Sequence, residues 1–193
     1  MNEHPHEFDF VAGELSLDFI NTVANRGEPQ RSRDLLATPA DLGRWFRAAG
    51  ITVRRGLGDA DVRTARQLRE HLHTLFVAAA RGCSLDAAAL KAVDALWRQL
   101  QAQRELVLVK GRVTHGWSAR ATVFQRAIHP VLASAIALLA SDQLDKVHPC
   151  DGEGCGWLFL DRSRGRPRRW CSMQDCGNRA KARRHYRKAA KPG

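Results

Sequence analysis

Four cysteines near the C-terminal end constrain the fold of this chain more than any other feature. Their spacing is Cys150-x4-Cys155-x15-Cys171-x4-Cys176. Two short cysteine pairs supply four thiolates, and the strand-length stretch between them returns the second pair to the first. The pattern predicts one structural, tetrahedral Zn²⁺ ion. Because four thiolates complete the coordination, no position stays open for a catalytic water, and we expect no enzyme activity at this metal.

The positive charge of the chain is concentrated around these cysteines. The 193 residues carry a formal net charge of +11. Residues 146–193 contain 13 Lys/Arg against 4 Asp/Glu, a net +9, whereas residues 1–145 contain 18 against 16, a net +2. Charge asymmetry of this kind indicates a polyanion partner, most often nucleic acid.

The hydrophobic pattern divides the chain into two predicted domains, a mostly helical domain over residues 1–145 and a metal module over residues 146–193. Apolar residues at helical spacing predict five helices in the first domain, and two β-rich runs around a glycine turn predict a small hairpin. Pro130 is expected to kink or split the last helix, because proline lacks a backbone donor. The helices are expected at residues 14–24, at residues 39–49 after a Thr38 cap, at residues 59–80, after a Ser84 cap and after a Ser118 cap, and the hairpin at residues 106–117.

Within the metal module, residues 156–161 are predicted to form a strand and residues 168–171 the returning strand. Asp175 is expected to cap a helix that starts near Cys176 and runs through residues 180–188. This order of elements, with a knuckle first, then a hairpin and then a helix that carries the last ligand, predicts a treble-clef-like zinc finger. Because about 45 residues have too small a core to fold alone, we expect zinc to stabilise the finger, and the helical domain to stay folded without it.

Basic side chains surround most of this predicted C-terminal helix. A phosphate backbone would relieve their mutual repulsion through neutralisation and counterion release. Asn178 and Arg179 also have the chemistry to read bases. Equally, Asn178 could bond the backbone around the metal knuckle, and Arg179 could bind a carboxylate such as Asp161. The predicted nucleic-acid-binding residues are Arg168, Arg169, Asn178, Arg179, Lys181, Arg183, Arg184, Arg187 and Lys188.

Polar residues of the helical domain suggest a second role but no catalytic site. Asp18 and Asn21 lie near one another on the first predicted helix, where they could line a ligand pocket or could cap and bridge local backbone. His71 and His73 are two residues apart and therefore point to different faces of their helix, so they form no dyad. We therefore expect the helical domain to sense a small-molecule effector or to mediate homodimerisation, and we predict no enzyme.

The expected cellular compartment follows from the lack of a signal-peptide pattern and of a membrane-spanning segment in the sequence. The first ten residues lack the basic and apolar regions of a signal peptide. The longest apolar run, residues 131–140, is half the length of a membrane span. We expect an intracellular protein without membrane contact, cytoplasmic and nucleoid-associated, where clustered cysteines bind metal rather than form disulfides.

Three segments of the metal module resemble the CGNR zinc-finger family: Gly-Trp-Leu-Phe-Leu-Asp at 156–161, Arg-Arg-Trp-Cys-Ser-Met at 168–173 and Cys-Gly-Asn-Arg at 176–179. Residues 10–22 look like the start of the ABATE domain that precedes the finger in this family. The resemblance covers nearly the whole chain. It implies a bacterial, stress-induced transcription regulator that binds DNA through its finger, with Cys150, Cys155, Cys171 and Cys176 as the zinc ligands.

Three functions therefore stay open at this point. The leading hypothesis is a zinc-dependent regulator that binds double-stranded DNA, as a dimer because one small finger offers a limited footprint. RNA binding is an alternative, since basic zinc modules serve either polymer and nothing in the sequence tests for the 2′-hydroxyl. A protein-interaction module, with zinc as a structural ion and its charge directed at an acidic partner, is the third.

Overall fold

The structure is a computed structural model that describes residues 8–54 and 56–189, except for the side chains of Lys188 and Ala189. In these residues, six α-helices and three antiparallel two-stranded hairpins build the fold. The predicted fold class, mainly α with a small hairpin and a C-terminal zinc finger, is confirmed. The elements are α1 (Leu15–Ile20), β1 (Val23–Ala24), β2 (Arg33–Asp34), α2 (Pro39–Ala48), α3 (Asp59–Ala80), α4 (Ala87–Gln101), β3 (Arg104–Val109), β4 (Arg112–Trp117), α5 (Val123–Leu139), β5 (Val147–Pro149), β6 (Leu158–Leu160) and α6 (Asn178–Ala189).

Helix α2 begins where the sequence predicts, because its first turn satisfies its own backbone donors. The Thr38 hydroxyl accepts from the Asp41 amide at 3.2 Å, and the Asp41 carboxylate accepts from the Thr38 amide at 2.9 Å. This capping box and Pro39 at the first helical position fix the start of the helix. Trp45 and Phe46 then point into the core, where both are buried.

Helix α3 is the centre of the molecule, and α1, α2, α4, α5 and β5 all contact it. Its predicted bounds are confirmed, and its buried stripe includes Leu68, Leu72 and Phe76. One apolar cluster runs from this stripe to Phe159 in the finger. Apolar contacts therefore cross the predicted boundary after residue 145, and the division into two domains stays a prediction.

A buried arginine connects the β1–β2 hairpin to α3. Arg69 is 3% exposed and makes two hydrogen bonds of 2.7 Å to the Asp34 carboxylate, with further bonds to Thr22 and Glu70. Burial alone would raise the pKa of Asp34, but the guanidinium of Arg69 lowers it. Removing either partner would leave the other charge buried and unpaired. The ion pair between Arg69 and Asp34 therefore fixes the β1–β2 hairpin against α3.

The first helix is shorter than the predicted residues 14–24. It ends at Ile20, and Val23–Ala24 pairs with β2 instead. Polar contacts end it: the Thr22 hydroxyl donates to the Phe19 carbonyl at 2.7 Å, and the Asn21 side chain binds β6. Helical periodicity alone could not show this, because the β6 partner lies 137 residues away.

Two predicted helix caps are wrong by a few residues. Asp86, not Ser84, caps α4, accepting from the Ala89 amide at 2.7 Å. Thr122, not Ser118, caps α5, while the Ser118 hydroxyl donates to Gln103 at the base of the β3–β4 hairpin. In both cases the capping side chain belongs to the polar residue directly before the first residue of the helix.

Pro130 lies inside α5 without splitting it, because the structure has one continuous helix from Val123 to Leu139. Buried side chains on both sides of the proline, including Ile128 and Val131, keep this helix against the core. Among the residues that the structure describes, no helix is both long enough and apolar enough to cross a membrane.

The finger differs from the prediction in its strands. β6 pairs with β5, and the first cysteine knuckle lies at the tip of this hairpin. Residues 168–171 form no strand, because the Arg168 amide donates to the Asp161 carboxylate and the Cys171 amide donates to the Cys150 sulfur. Ser172, not Asp175, caps the π-helical turn Met173–Gly177 that leads into α6.

Candidate metal centre and basic surface

The two cysteine knuckles meet between β6 and the start of α6. Cys150 follows β5 directly, and Cys155 lies in the loop before β6. Cys171 precedes the π-helical turn, and Cys176 lies within it. The four sulfur atoms all lie within 4.8 Å of one another.

The sulfur geometry fits a tetrahedral zinc ion. The sulfurs of Cys155 and Cys171 are 3.8 Å apart, and those of Cys171 and Cys176 are 3.7 Å apart. Zn–S bonds of about 2.3 Å in a tetrahedron place neighbouring sulfurs ~3.8 Å apart. The distances are far longer than the roughly 2.05 Å of a disulfide. The cysteine cluster therefore fits one structural Zn²⁺ ion, and the predicted cofactor is confirmed.

Hydrogen-bond donors around the cluster favour thiolates over neutral thiols. The amides of Gly152 and Cys171 each donate to the Cys150 sulfur at 3.3 Å. The Arg179 guanidinium donates to the Cys176 sulfur at 2.9 Å. Burial alone would lower the pKa of Arg179, but the negative charges of Cys176 and Asp175 raise it. These outer contacts orient the sulfurs and offset part of their negative charge.

Glycines allow the first knuckle to approach its neighbours. A Cβ atom at Gly152 would lie 2.8 Å from the Cys176 sulfur. Gly156 has a φ of +68°, and a Cβ there would lie 2.9 Å from the Gly27 amide nitrogen. A side chain at the first position would push the two knuckles apart, and one at the second would push the finger away from the helical domain.

Zinc binding to the cluster depends on pH, because cysteine binds a metal as its thiolate. The Cys150 sulfur accepts from two amides, which favours the thiolate there. Metal binding releases the protons of the thiols, so zinc affinity falls as the pH falls.

The finger is held against the helical domain by Asn21. This buried side chain donates to the Leu158 carbonyl at 2.8 Å and accepts from the Leu158 amide at 3.0 Å. Asp18 is buried nearby in the sequence and accepts from the Ala12 amide at 2.9 Å. Asp18 thus binds local backbone, as the alternative in the sequence analysis has it, whereas the backbone that Asn21 binds is 137 residues away. The pocket itself stays a prediction.

Backbone contacts extend this attachment. The Leu160 amide donates to the Ala12 carbonyl at 2.8 Å, and the Trp157 indole donates to the Val23 carbonyl at 2.8 Å. The Gly27 amide donates to the Gly154 carbonyl at the metal knuckle. The position of the zinc finger is therefore fixed by the segment around α1 and β1, a role that the cysteine motif gives no means of predicting.

Several of the predicted nucleic-acid-binding residues have partners within the protein. Arg168 donates to the Val11 and Cys171 carbonyls and lies 4.6 Å over the Phe159 ring. Asn178 donates to the Gln174 carbonyl at 2.9 Å. The backbone alternative for Asn178 is thus the observed one. The ion pairs are those of Arg169 with Asp151, Arg179 with Asp175 rather than the expected Asp161, and Arg183 with Glu153.

The other predicted basic residues of α6 face solvent. Lys181, Arg184 and Arg187 are exposed and have no hydrogen-bond or ionic partner among the described residues. Each lies three residues from the next, so successive members are neighbours on the helix surface. Arg179 and Arg183 instead bind Cys176 and Glu153 of the knuckles. Lys188 lies on α6, and its side chain is outside the described residues. The side chains of Arg164 and Arg166, in the loop after β6, are also exposed without a partner in the described part of the chain, and only the basic composition of that loop signals them.

A cleft at the start of α5 was not signalled by any motif. It has a volume of about 520 Å³ and is lined by Thr52, Arg54, Ala121, Val123 and Arg126. Two arginines beside a helix N-terminus give this cleft a positive potential.

The fold and the site together define a helical protein with a C-terminal four-cysteine zinc finger. The profile of the ABATE family, described as "Putative stress-induced transcription regulator", matches residues 13–142. The CGNR zinc-finger profile matches residues 146–189. The chain belongs to the ABATE family, as its opening residues and its finger motif predict. No curated protein matches this chain.

Proposed function

We propose that this zinc-binding regulator is a cytoplasmic, nucleoid-associated protein that binds double-stranded DNA through its finger. In this proposal Cys150, Cys155, Cys171 and Cys176 hold the zinc, and α6 contacts the phosphate backbone. The helical domain senses an effector or mediates dimerisation. The family description supports the regulatory role, and the closed thiolate site supports a structural rather than catalytic metal.

The exposed face of α6 carries this proposal. Lys181, Arg184 and Arg187 form a row of cations without partners among the described residues, beside cations that are paired inside the finger. Holding such a row together in solution is unfavourable unless counterions or phosphates neutralise it. Contact with phosphates orients a protein on DNA but reads no sequence.

A salt series on the zinc-loaded protein tests the proposal. Changing Lys181, Arg184 and Arg187 together to Gln should weaken duplex binding and lower the slope of log K against log salt by roughly 3, about 1 for each lost phosphate contact. The matched control changes three exposed cations of the helical domain to Gln, namely Arg33, Arg63 and Lys91. This control has the same net charge and should keep the wild-type slope.

Two results would contradict the proposal. An equal loss of slope in both variants would show that net charge alone drives binding. Displacement of the duplex by a structured-RNA competitor at equal concentration would favour the RNA-binding alternative.

A further inference from the structure

The loop that follows β6 is held together by its own polar groups. The Asp161 carboxylate accepts from the Ser163 amide at 3.0 Å and from the Arg168 amide at 2.9 Å. The Ser163 hydroxyl donates to the Arg166 carbonyl at 3.1 Å. We call this segment, residues 161–168, the Asp161 loop. Because these bonds join its two ends and its middle, the loop has a defined backbone shape rather than that of a free linker.

Four arginines lie along the Asp161 loop, and the outer two differ from the inner two. Arg162 donates to the Glu14 carboxylate at 3.0 Å, and Arg168 donates to two backbone carbonyls. The side chains of Arg164 and Arg166 are exposed and have no partner among the described residues. The outer arginines therefore attach the loop to the rest of the protein, and the inner ones are available to a partner.

Gly165 separates the two inner arginines, and the described part of the structure gives no reason for a glycine there. Its φ lies outside the left-handed region, and a Cβ atom added to it would meet no atom within 4 Å. Glycine costs conformational entropy on folding, so it is typical of positions where the backbone itself must come close to something. At Gly165 the protein supplies no such neighbour, which indicates that a partner approaches the loop at this point.

We propose that the Asp161 loop enters the minor groove of A·T-rich duplex DNA, where Arg164 and Arg166 contact the edges of the bases. Runs of A·T pairs have a narrow minor groove whose negative potential attracts arginine. An A·T pair presents only acceptors there, whereas a G·C pair adds the amino group of guanine, which opposes a guanidinium donor. Without a side chain at Gly165, the backbone between the arginines can lie close to the floor of the groove.

The spacing of the two arginines fits this groove. Their Cα atoms are two residues apart and therefore at most ~7 Å apart. Successive base pairs are about 3.4 Å apart along the helix axis, so the two side chains reach base pairs that are near neighbours. Double-stranded RNA does not offer an equivalent site, because its minor groove is wide and shallow.

This contact would supply what the phosphate contacts of α6 cannot. Phosphate contacts orient a protein on DNA but carry no sequence information. A loop in the minor groove distinguishes A·T pairs from G·C pairs and therefore gives the protein a preference among duplexes. The inference rests on the proposed function, since it names the kind of DNA that the finger selects.

Competition between three duplexes of equal length tests both the groove and the base composition. The zinc-loaded protein should bind a duplex with a central A·T run about tenfold more tightly than one with a central G·C run, the ratio that one discriminated base pair typically gives. The third duplex carries inosine in place of guanine in the central run. Inosine lacks the amino group in the minor groove but keeps the major-groove pattern of guanine, so this duplex should bind about as tightly as the A·T duplex.

Three variants locate the preference. Arg164→Gln with Arg166→Gln should abolish it, so that the A·T and G·C duplexes bind about equally. Arg33→Gln with Arg63→Gln removes the same charge from exposed positions of the helical domain and should keep the preference. Gly165→Ala keeps every charge and should leave thermal unfolding unchanged, because its Cβ has free space in the protein. It should nevertheless weaken binding to the A·T duplex by roughly fivefold, since the added methyl group would collide with the groove.

The outcomes separate this inference from the proposed function. Equal wild-type affinity for all three duplexes, or an inosine duplex that binds like the G·C duplex, would overturn the inference. If that equal binding is still steeply salt-dependent and is weakened in the α6 variant, the proposed function stands while the inference fails. If no duplex binds, or double-stranded RNA displaces all three at equal concentration, the proposed function fails together with the inference. Zinc content of each variant verifies that its finger is folded.

Discussion

Asp18 is a buried carboxyl group whose environment opposes its own charge. Burial raises its pKa from 3.8 to about 6, and the hydrogen bond from the Ala12 amide offsets only part of this effect. The folded protein therefore keeps a proton on Asp18 at pH values where the unfolded chain has lost it. Because the folded state binds more protons at this group, the contribution of Asp18 to stability falls as the pH rises from about 4 to about 6. Two pKa units correspond to a cost of up to ~3 kcal/mol at neutral pH.

Asp18→Asn should remove this cost, since an amide keeps the acceptor for the Ala12 amide without a charge. We expect the variant to gain roughly 1–3 kcal/mol over wild type at pH 7.5 and to lose most of that advantage near pH 4. Urea unfolding of both proteins across this range measures the difference, and the subtraction cancels the acid loss of zinc that both share. A constant difference at every pH would contradict the raised pKa.

At the scale of secondary structure, the ends of the helices are determined by single side chains. Asp86 accepts from the Ala89 amide at 2.7 Å and so satisfies one of the donors that the first turn of α4 leaves unpaired. Its negative charge also lies at the positive end of the helix dipole. Ser84, which the sequence predicts as the cap, is exposed and has no partner among the described residues.

Asp86→Ala should therefore destabilise the protein by about 1 kcal/mol. Ser84→Ala serves as its control and should change the free energy of unfolding by less than ~0.5 kcal/mol, as expected of a surface substitution. Chemical denaturation of the two variants provides the comparison. A larger loss of unfolding free energy for Ser84→Ala than for Asp86→Ala would show that Ser84 caps α4, as the sequence predicts.

What the sequence could predict at this scale depends on where the determining contact lies. Local patterns correctly predicted α2, α3 and the β3–β4 hairpin, because capping residues, periodicity and turn residues all lie within those segments. The spacing of the cysteines likewise predicted the metal cluster. The end of α1 and the irregular backbone at residues 168–171 depend on Leu158 and on the Cys150 sulfur, which are distant in sequence. For Arg179, the sequence analysis named a carboxylate as one possible partner. The structure has such a partner, but it is Asp175, four residues earlier in the chain, rather than Asp161.

At the scale of the whole molecule, the finger and the helical domain share one apolar core. Asn21 and Trp157 add hydrogen bonds between them. The sequence suggests a helical domain that stays folded without zinc. The structure leads us to expect the opposite, because loss of the finger would expose the apolar surfaces of α1 and α3 that it covers.

Cys171→Ser should lose zinc and lower the melting temperature of the entire chain by roughly 10–20 °C. This estimate takes a loss of about 5 kcal/mol at ~2–4 °C per kcal/mol for a protein of this size. Calorimetry and bound-metal analysis measure both effects. Cys83→Ser, which changes an exposed cysteine outside the cluster, is the control and should keep both zinc and stability.

Two outcomes would contradict this expectation. Stoichiometric zinc in Cys171→Ser would exclude Cys171 from the ligand set. Two separate unfolding transitions in Cys171→Ser, with the transition of the helical domain at its wild-type temperature, would show that the shared core contributes little to the stability of the helices.

The attachment of β6 to the start of the chain has a consequence for biosynthesis. Ala12 and Asn21 emerge early from the ribosome, but their partners Leu160 and Leu158 follow more than 130 residues later. Contacts this distant in sequence slow folding, because a long loop must close first. The nascent helices must therefore wait with part of their apolar surface exposed until the C-terminal cysteines are translated. We therefore expect zinc binding to protect newly made protein from aggregation, because it fixes the finger over this surface.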